Sequence, residues 1–291
     1  MKNKKRFAII GGDLRQVKMA NGLAKDGYYV KVFGFKDIEF APNVIKAHNM
    51  QEVVEGTDVI VAPLPCSLDN ESVNTPFYDG KIFFNDLFKH ISKNQLFVGG
   101  KISEKISNLA KVYNIYIVDY FEREELTILN AIPTAEGAIQ IAMEELPITL
   151  HNSHCLILGF GRIGKILARM LLGIGANVTV EARKYQDLAW IKSYGYNGVH
   201  LNQLEKVIGN YDVIFNTIPS VILDTEILSK IKKDCLVIDL ASKPGGVDFE
   251  MARDMGLKVI WALSLPGKVA PNTAGNIIKD TIFNIIDELG V

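Results

Sequence analysis

HCLILGFGRIG, residues 154–164, reads as a strand that runs straight into a glycine turn and then a helix. Leu156, Ile157 and Leu158 form the short apolar strand, Gly159-Phe160-Gly161-Arg162-Ile163-Gly164 the turn, and KILARMLLGIGA continues with apolar residues at helical spacing. In such a turn the first glycine allows the tight reversal, and the second lets a pyrophosphate approach the backbone. The third lets helix and strand pack closely, while the helix N-terminus offers unpaired N–H groups to an anion. A lone glycine pattern is weak, but here the helix stops at Gly173 and Gly175 and a second strand, Asn177–Glu181, follows. That spacing is the one of a complete βαβ nucleotide unit, so Gly159, Gly161, Arg162, Ile163 and Gly164 are expected to hold a dinucleotide.

Working outward, the end of the second strand falls at Ala182, where NAD-selective folds carry an acid for the ribose hydroxyls. This chain has Ala182-Arg183-Lys184 there: no acid and two cations. The triplet suits a 2′-phosphate, which favours NADP over NAD. Two alternatives stand beside it. The cations are a solvated surface pair, or a one-residue shift of the strand end puts Glu181 at the ribose.

Length and composition bound the rest. At 291 residues the chain is long for one α/β core, and two domains are expected. It is 48% hydrophobic and 22% charged with a formal net charge of −1, which leaves no basic field for nucleic acid or an anionic membrane. The basic start MKNKKRFAIIGG breaks at glycines too early for a signal segment, and no run approaches the length of a membrane span. Cys66, Cys155 and Cys235 are scattered and odd in number, so they are expected as reduced core residues of a cytoplasmic protein, with no metal site among them.

The first half opens on a second strand and glycine turn, Phe7–Ile10 and then Gly11-Gly12-Asp13-Leu14-Arg15-Gln16, which lacks the third glycine. Further strands are expected at 29–33, 58–62, 95–98 and 115–118, then at 177–181, 199–201, 212–216, 235–239 and 258–261 in the second half. Strands alternating with crossovers imply parallel sheets covered on both faces. The fold class is therefore α/β, two Rossmann-like doubly wound parallel-sheet domains with a cleft between them. The expected bounds are 1–147 for a Rossmann- or flavodoxin-like first domain and 148–274 for the nucleotide-binding one. A final helix, 275–291, is expected to pack back on the first. From Phe121 the chain is helical, with Pro133 in the first turn of a second helix that starts near Thr134 and Glu136.

Ligands of open α/β sheets sit at the C-terminal ends of strands. Three stretches there, NTIPS (216–220), DLASKPGG (239–246) and LSLPGKVAPNTAG (263–275), make Thr217, Ile218, Pro219, Asp239, Leu240, Ala241, Leu265 and Pro266 further cofactor candidates. Arg15, Lys101, Lys243 and Lys268 are together cations suited to a carboxylate-bearing substrate, although each alone is more readily a solvated charge. Asn276, at the start of the final helix, and the helix N-terminus after Asp13 are added to them, and Thr134 and Glu136 are either ligands or caps. Lys268, Arg15 and Glu136 are the candidate catalytic groups. The last 91 residues hold no histidine, so the general base usual for oxidation of a hydroxy acid is missing from the loop reading LSLPGKVAP.

GGDLRQ, PTAEGAIQIAMEE, LGFGRIG, ARK, DLASKPGGVDF and LPGKVAPNTAG together resemble the family of dipicolinate synthase A subunits of spore-forming bacteria, over nearly the whole chain. The resemblance implies an oxidoreductase that uses NADP to convert dihydrodipicolinate, or its hydrated precursor made from aspartate semialdehyde and pyruvate, to dipicolinate. It also implies a partner, the flavoprotein-like B subunit of dipicolinate synthase, and a place in the mother-cell cytoplasm during sporulation. A homo-oligomer stays open. Two alternatives remain beside it: a non-catalytic nucleotide-binding subunit of that complex, and an NADP-dependent hydroxyacid or amino-acid dehydrogenase.

Overall fold

The computed structural model describes residues 4–291; Met1–Asn3, part of the basic start, lie outside the described residues. Two compact units are present. One comprises the chain up to Leu129 together with Ala270–Val291, the other Asn130–Val269.

The first unit runs β1 (Arg6–Ile10), α1 (Leu14–Lys25), β2 (Tyr29–Phe33), β3 (Val44–Lys46), α2 (Met50–Val54) and β4 (Val59–Val61). Then come α3 (Phe84–Phe88), β5 (Leu96–Gly99), α4 (Glu104–Val112) and β6 (Tyr116–Asp119), and α5 (Glu124–Glu145) leads into the second unit. There the order is β7 (His154–Leu158), α6 (Arg162–Ile174), β8 (Asn177–Ala182), α7 (Tyr185–Ser193), β9 (Asn197–His200) and α8 (Leu204–Val207). It closes with β10 (Val213–Asn216), α9 (Thr225–Leu228), β11 (Leu236–Asp239), α10 (Phe249–Asp254), β12 (Lys258–Trp261) and α11 (Leu265–Val269). The last helix, α12 (Pro271–Leu289), belongs to the first unit.

Each unit holds a six-stranded sheet, ordered β3-β2-β1-β4-β5-β6 and β12-β11-β10-β7-β8-β9. Every pairing is parallel. The chain turns from one flank of its sheet to the other between β1 and β4, and again between β7 and β10. Those are the two switch points at which such sheets bind ligands. The central strands are apolar on both faces because helices cover both: β7, β10 and β11 bury nearly every residue, as do β1, β4 and β5.

Three expectations are corrected. The three-residue strand β3, sequence VIK with two exposed residues, was too short and too polar to read as a strand. Pro133 does not open a second helix; it sits inside the continuous α5. The cost of a proline within a helix is met by packing, since Ala135, Ala138, Ile139 and Ala142 enter the core of the second unit. Residues 130–147, expected with the first domain, thus lie in the second unit from Asn130 onward. In the first unit α12 packs along α1, with Gly275 against the Arg15 carbonyl and the Met19 N–H. Ile277, Ile278, Ile282, Ile285 and Ile286 complete that core, and Lys279 pairs with Asp26 at 2.6 Å.

Candidate active site

The turn between β7 and α6 assigns a different job to each glycine. Gly159 has φ +93°, and a side chain there would meet Thr217 Oγ1 at 2.7 Å and Ile218. Gly164 lies so close under the turn that a Cβ would stand 2.1 Å from the Gly159 carbonyl oxygen. At Gly161 a Cβ would meet nothing within 4 Å, and Gly161 caps α6 without any side-chain hydrogen bond. Gly161 is therefore exposed, with open space where a side chain would stand. Closed glycines on both sides of an open one fit a dinucleotide pyrophosphate.

Thr217 and Ile218 line the turn from β10, the Thr217 hydroxyl donating to the Leu158 carbonyl at 2.8 Å across the switch point. Beyond them a buried pair sets the neighbouring loops. Asn216 Nδ2 donates to Asp239 Oδ1 at 2.8 Å and to the Ile218 carbonyl at 3.0 Å, while Asn216 Oδ1 accepts from the Ile218 N–H. Asp239 Oδ1 also accepts from the Ala241 N–H and Oδ2 from the Gly246 N–H. Asp239 is thus a brace for the 241–246 loop and has no oxygen left for a ligand. Leu240, Leu265 and Ala182 are likewise part of the apolar core beneath the edge, and Ala241 and Pro266 are buried, whereas Pro219 is exposed. Asn216 and Gly246 were missed as site-forming residues. The sequence signal for Asn216 is a polar residue ending an apolar strand; Gly246 shows only in the fold, where a Cβ would lie 2.1 Å from Asn216 Nδ2.

At the end of β8, Arg183 and Lys184 are exposed and Glu181 is not. Glu181 is 1% exposed, and its Oε2 accepts the Gly159 N–H at 3.2 Å beneath the glycine turn. Burial pushes its carboxyl above the usual range, against the opposing pull of the Gly159 N–H, Arg183 and His200. The acid that stood as an alternative ribose ligand therefore faces inward.

Lys243 and Lys268 are exposed after β11 and β12. Neither they nor Arg183 and Lys184 form an ion pair among the described residues. Lys268 is on α11, whose Leu265 and Val269 pack against Gly137 of α5. Glu136, the neighbour of Gly137, is exposed, and the Thr134 hydroxyl is turned back to the Asn130 carbonyl at 2.8 Å. Both residues are in mid-helix, so the capping role considered for them does not arise.

The first unit's turn is built differently. Asp13 caps α1, the Gln16 side chain returns to the Asp13 N–H at 3.1 Å, and Gly12 N–H goes to the Asn74 carbonyl. These contacts fill the N-terminus that was expected to take an anion. An incoming anion would also meet the Asp13 carboxylate. Arg15, 5% exposed, grips that carboxylate through Nε and Nη2 and donates to the Leu64 carbonyl, which spans the β1–β4 switch point. Its Nη1 has no partner among the described residues. Lys101 is exposed after β5 with φ +58°, a backbone held by Asp119 oxygens on the Lys101 and Ile102 N–H groups. Asn276 lies in the second turn of α12 rather than at its start, facing Gly22 of α1.

Other chemistries have little to stand on. All three cysteines are buried and unpaired, and burial pushes the thiols of Cys155 and Cys235 up to about 11 and about 12. Among the described residues no cluster of three His, Cys, Asp or Glu could hold a metal, and no helix is long and apolar enough to cross a membrane.

Residues 6–121 match the N-terminal domain of the dipicolinate synthase A subunit, and residues 133–244 match the NAD-binding domain of D-isomer specific 2-hydroxyacid dehydrogenases. The dipicolinate synthase A subunit of Bacillus subtilis (strain 168) is 32% identical over 286 residues, 98% of this chain and 96% of that protein. The crystal structure of the dipicolinate synthase A subunit from Bacillus halodurans superposes with a TM-score of 0.89 at 31% identity, covering 97% of both chains. That of its counterpart from Bacillus subtilis gives 0.88 at 32% identity, covering 100% of this chain and 98% of the other. The second unit thus carries a dehydrogenase-type nicotinamide-nucleotide domain.

Proposed function

Because the chain belongs to the dipicolinate synthase A subunit family, we propose that it oxidises dihydrodipicolinate, or its hydrated precursor, to dipicolinate with NADP as hydride acceptor. The observation that carries this is the open Gly161 flanked by two closed glycines, with Arg183 and Lys184 unpaired at the strand end beside it. NADP, when bound, supplies the hydride acceptor. The chain's residues supply everything else. The α6 amides and Gly161 take the pyrophosphate, and Arg183 and Lys184 take the 2′-phosphate. Thr217 and Ile218 close over the turn, and the Asn216–Asp239 pair fixes the loops that face the ring.

Loss of a hydride and a proton turns the dihydropyridine into an aromatic ring, the hydrated precursor losing a molecule of water as well, so the site is asked mainly for positioning. Arg15, Lys101, Lys243 and Lys268 are the groups for the two carboxylates. Lys268 on α11 and Glu136 on the adjoining α5 are the proton-handling candidates. The partner is a flavoprotein-like B subunit, and the setting the mother-cell cytoplasm during sporulation.

A second reading draws on one observation: Asp239, the acid that ends β11 in the second unit, has both oxygens engaged. On that reading the chain is a nucleotide-binding subunit whose reaction needs the B subunit. Assaying the purified chain with dihydrodipicolinate and NADP separates the two. Turnover by the chain alone supports catalysis; turnover only after adding the B subunit supports the second reading; reduction of NADP by hydroxy or amino acids but not by dihydrodipicolinate overturns both.

A further inference from the structure

We propose that Glu181 is the positioning residue of the cofactor turn, and that binding a dinucleotide there takes up a proton on this side chain. The inference rests on the dinucleotide reading of the turn and adds a linkage which that reading does not contain. Glu181 ends β8 with its side chain tucked beneath the turn, 1% exposed. One oxygen accepts the Gly159 N–H at 3.2 Å, and Oε1 has no partner among the described residues. An ionised carboxylate in that position is poorly satisfied, because burial removes water and a single long hydrogen bond replaces it.

The groups that act on Glu181 are few. Gly159 contributes its N–H from the turn, Arg183 its charge from the same segment, and His200 stands on β9. His200 Nδ1 accepts the Asn202 N–H at 3.2 Å and its Nε2 lies 3.0 Å from the Arg183 carbonyl. Arg183 is the cation nearest in the chain. A bound dinucleotide changes this balance in one direction. Its phosphates bring negative charge to the turn that Glu181 braces, and a 2′-phosphate competes for Arg183. Both favour the neutral acid. In the neutral form the carbonyl oxygen still accepts from Gly159, so the turn keeps its shape.

The test uses the full-length protein and NAD, which lacks the 2′-phosphate whose own second ionisation would add a pH dependence. Affinity is measured by calorimetry from about pH 5.5 to 8.5, in buffers of different ionisation enthalpy, for the wild type and Glu181→Gln. Each unit by which binding raises the carboxyl's pKa weakens NAD about tenfold across that range. The wild type is expected to lose about that much with rising pH and to show proton uptake, while the glutamine variant binds with a flat profile. A flat wild-type profile overturns the proposal. So does a variant that retains the wild-type slope, which would assign the proton to His200 or another group.

Should the variant not fold, the Glu181 carboxyl is titrated directly by carbon-13 resonance in the wild type, with and without NAD. An upward displacement of its midpoint supports the proposal and an unchanged midpoint overturns it. Failure of both NAD and NADP to bind at any pH is a different result: it removes the dinucleotide reading and the inference with it.

Discussion

Arg183 is exposed, without an ion pair among the described residues, and next to an Ala182 that offers a ribose nothing to bind. Arg183→Ala is therefore expected to weaken NADP binding by about 1–3 kcal/mol, the scale of a lost charge-assisted contact, and to leave NAD nearly unchanged. Equal loss for both nucleotides in a calorimetric comparison would remove the 2′-phosphate assignment. Asp239 makes a contrasting case, since its effect is internal. Asp239→Asn turns one acceptor oxygen into a donor against the Ala241 and Gly246 N–H groups or the Asn216 amide. A cost of about 1–3 kcal/mol is expected in denaturant unfolding, from buried groups left unpaired. Glu181 sets a pH dependence of the free protein. Its carboxyl is raised on folding, so its contribution to stability is complete below the ordinary carboxylate range and is lost as pH rises through the raised value. Melting temperatures of Glu181→Gln should accordingly gain on those of the wild type as the pH increases; a constant difference contradicts the raised carboxyl.

The glycine turn is the element whose parts can be tested against each other. Gly164→Ala places a methyl into the Gly159 carbonyl and is expected to destabilise the fold by about 1–3 kcal/mol. Gly161→Ala meets open space and has a backbone, φ −81°, that alanine adopts. Its stability should stay within about 1 kcal/mol of wild type while dinucleotide binding weakens about tenfold or more. These opposite profiles were legible in the sequence, because the three roles follow from glycine spacing alone. The first unit's turn was not so legible. Its Gly11-Gly12-Asp13 reads like an anion cradle, yet Asp13 and Gln16, spaced as a capping box, fill it. α5 misled for a related reason. Pro133 is a helix breaker locally, and only the alanines beyond it, buried in the second unit, carry the helix through. The α1–α12 contact supplies a check at this scale. Gly275→Leu should lower the melting temperature sharply by driving the helices apart, whereas a variant as stable as wild type would contradict the close approach at the Arg15 carbonyl.

At the scale of the whole chain, alternating strands and crossovers announced two parallel sheets, while the order of strands showed only in the fold. The candidate site was legible only in part. Motif spacing pointed to the turn, whose three glycines lie within six residues, and to Arg183-Lys184 at the end of the strand that follows its helix. The Asn216–Asp239 brace joins positions 23 residues apart, and Glu181 reaches back 22 residues to Gly159, so both were visible only once the strands lay side by side. The two units share a topology but have opposite turns, one filled by its own side chains and one open. The central claim is that the open turn of the second unit alone takes the cofactor. Calorimetric titration of the intact chain with NADP tests it most directly: one molecule is expected to bind per chain, about tenfold or more weaker in Gly161→Ala. Two molecules per chain, or unchanged binding by the Gly161→Ala protein, would contradict it.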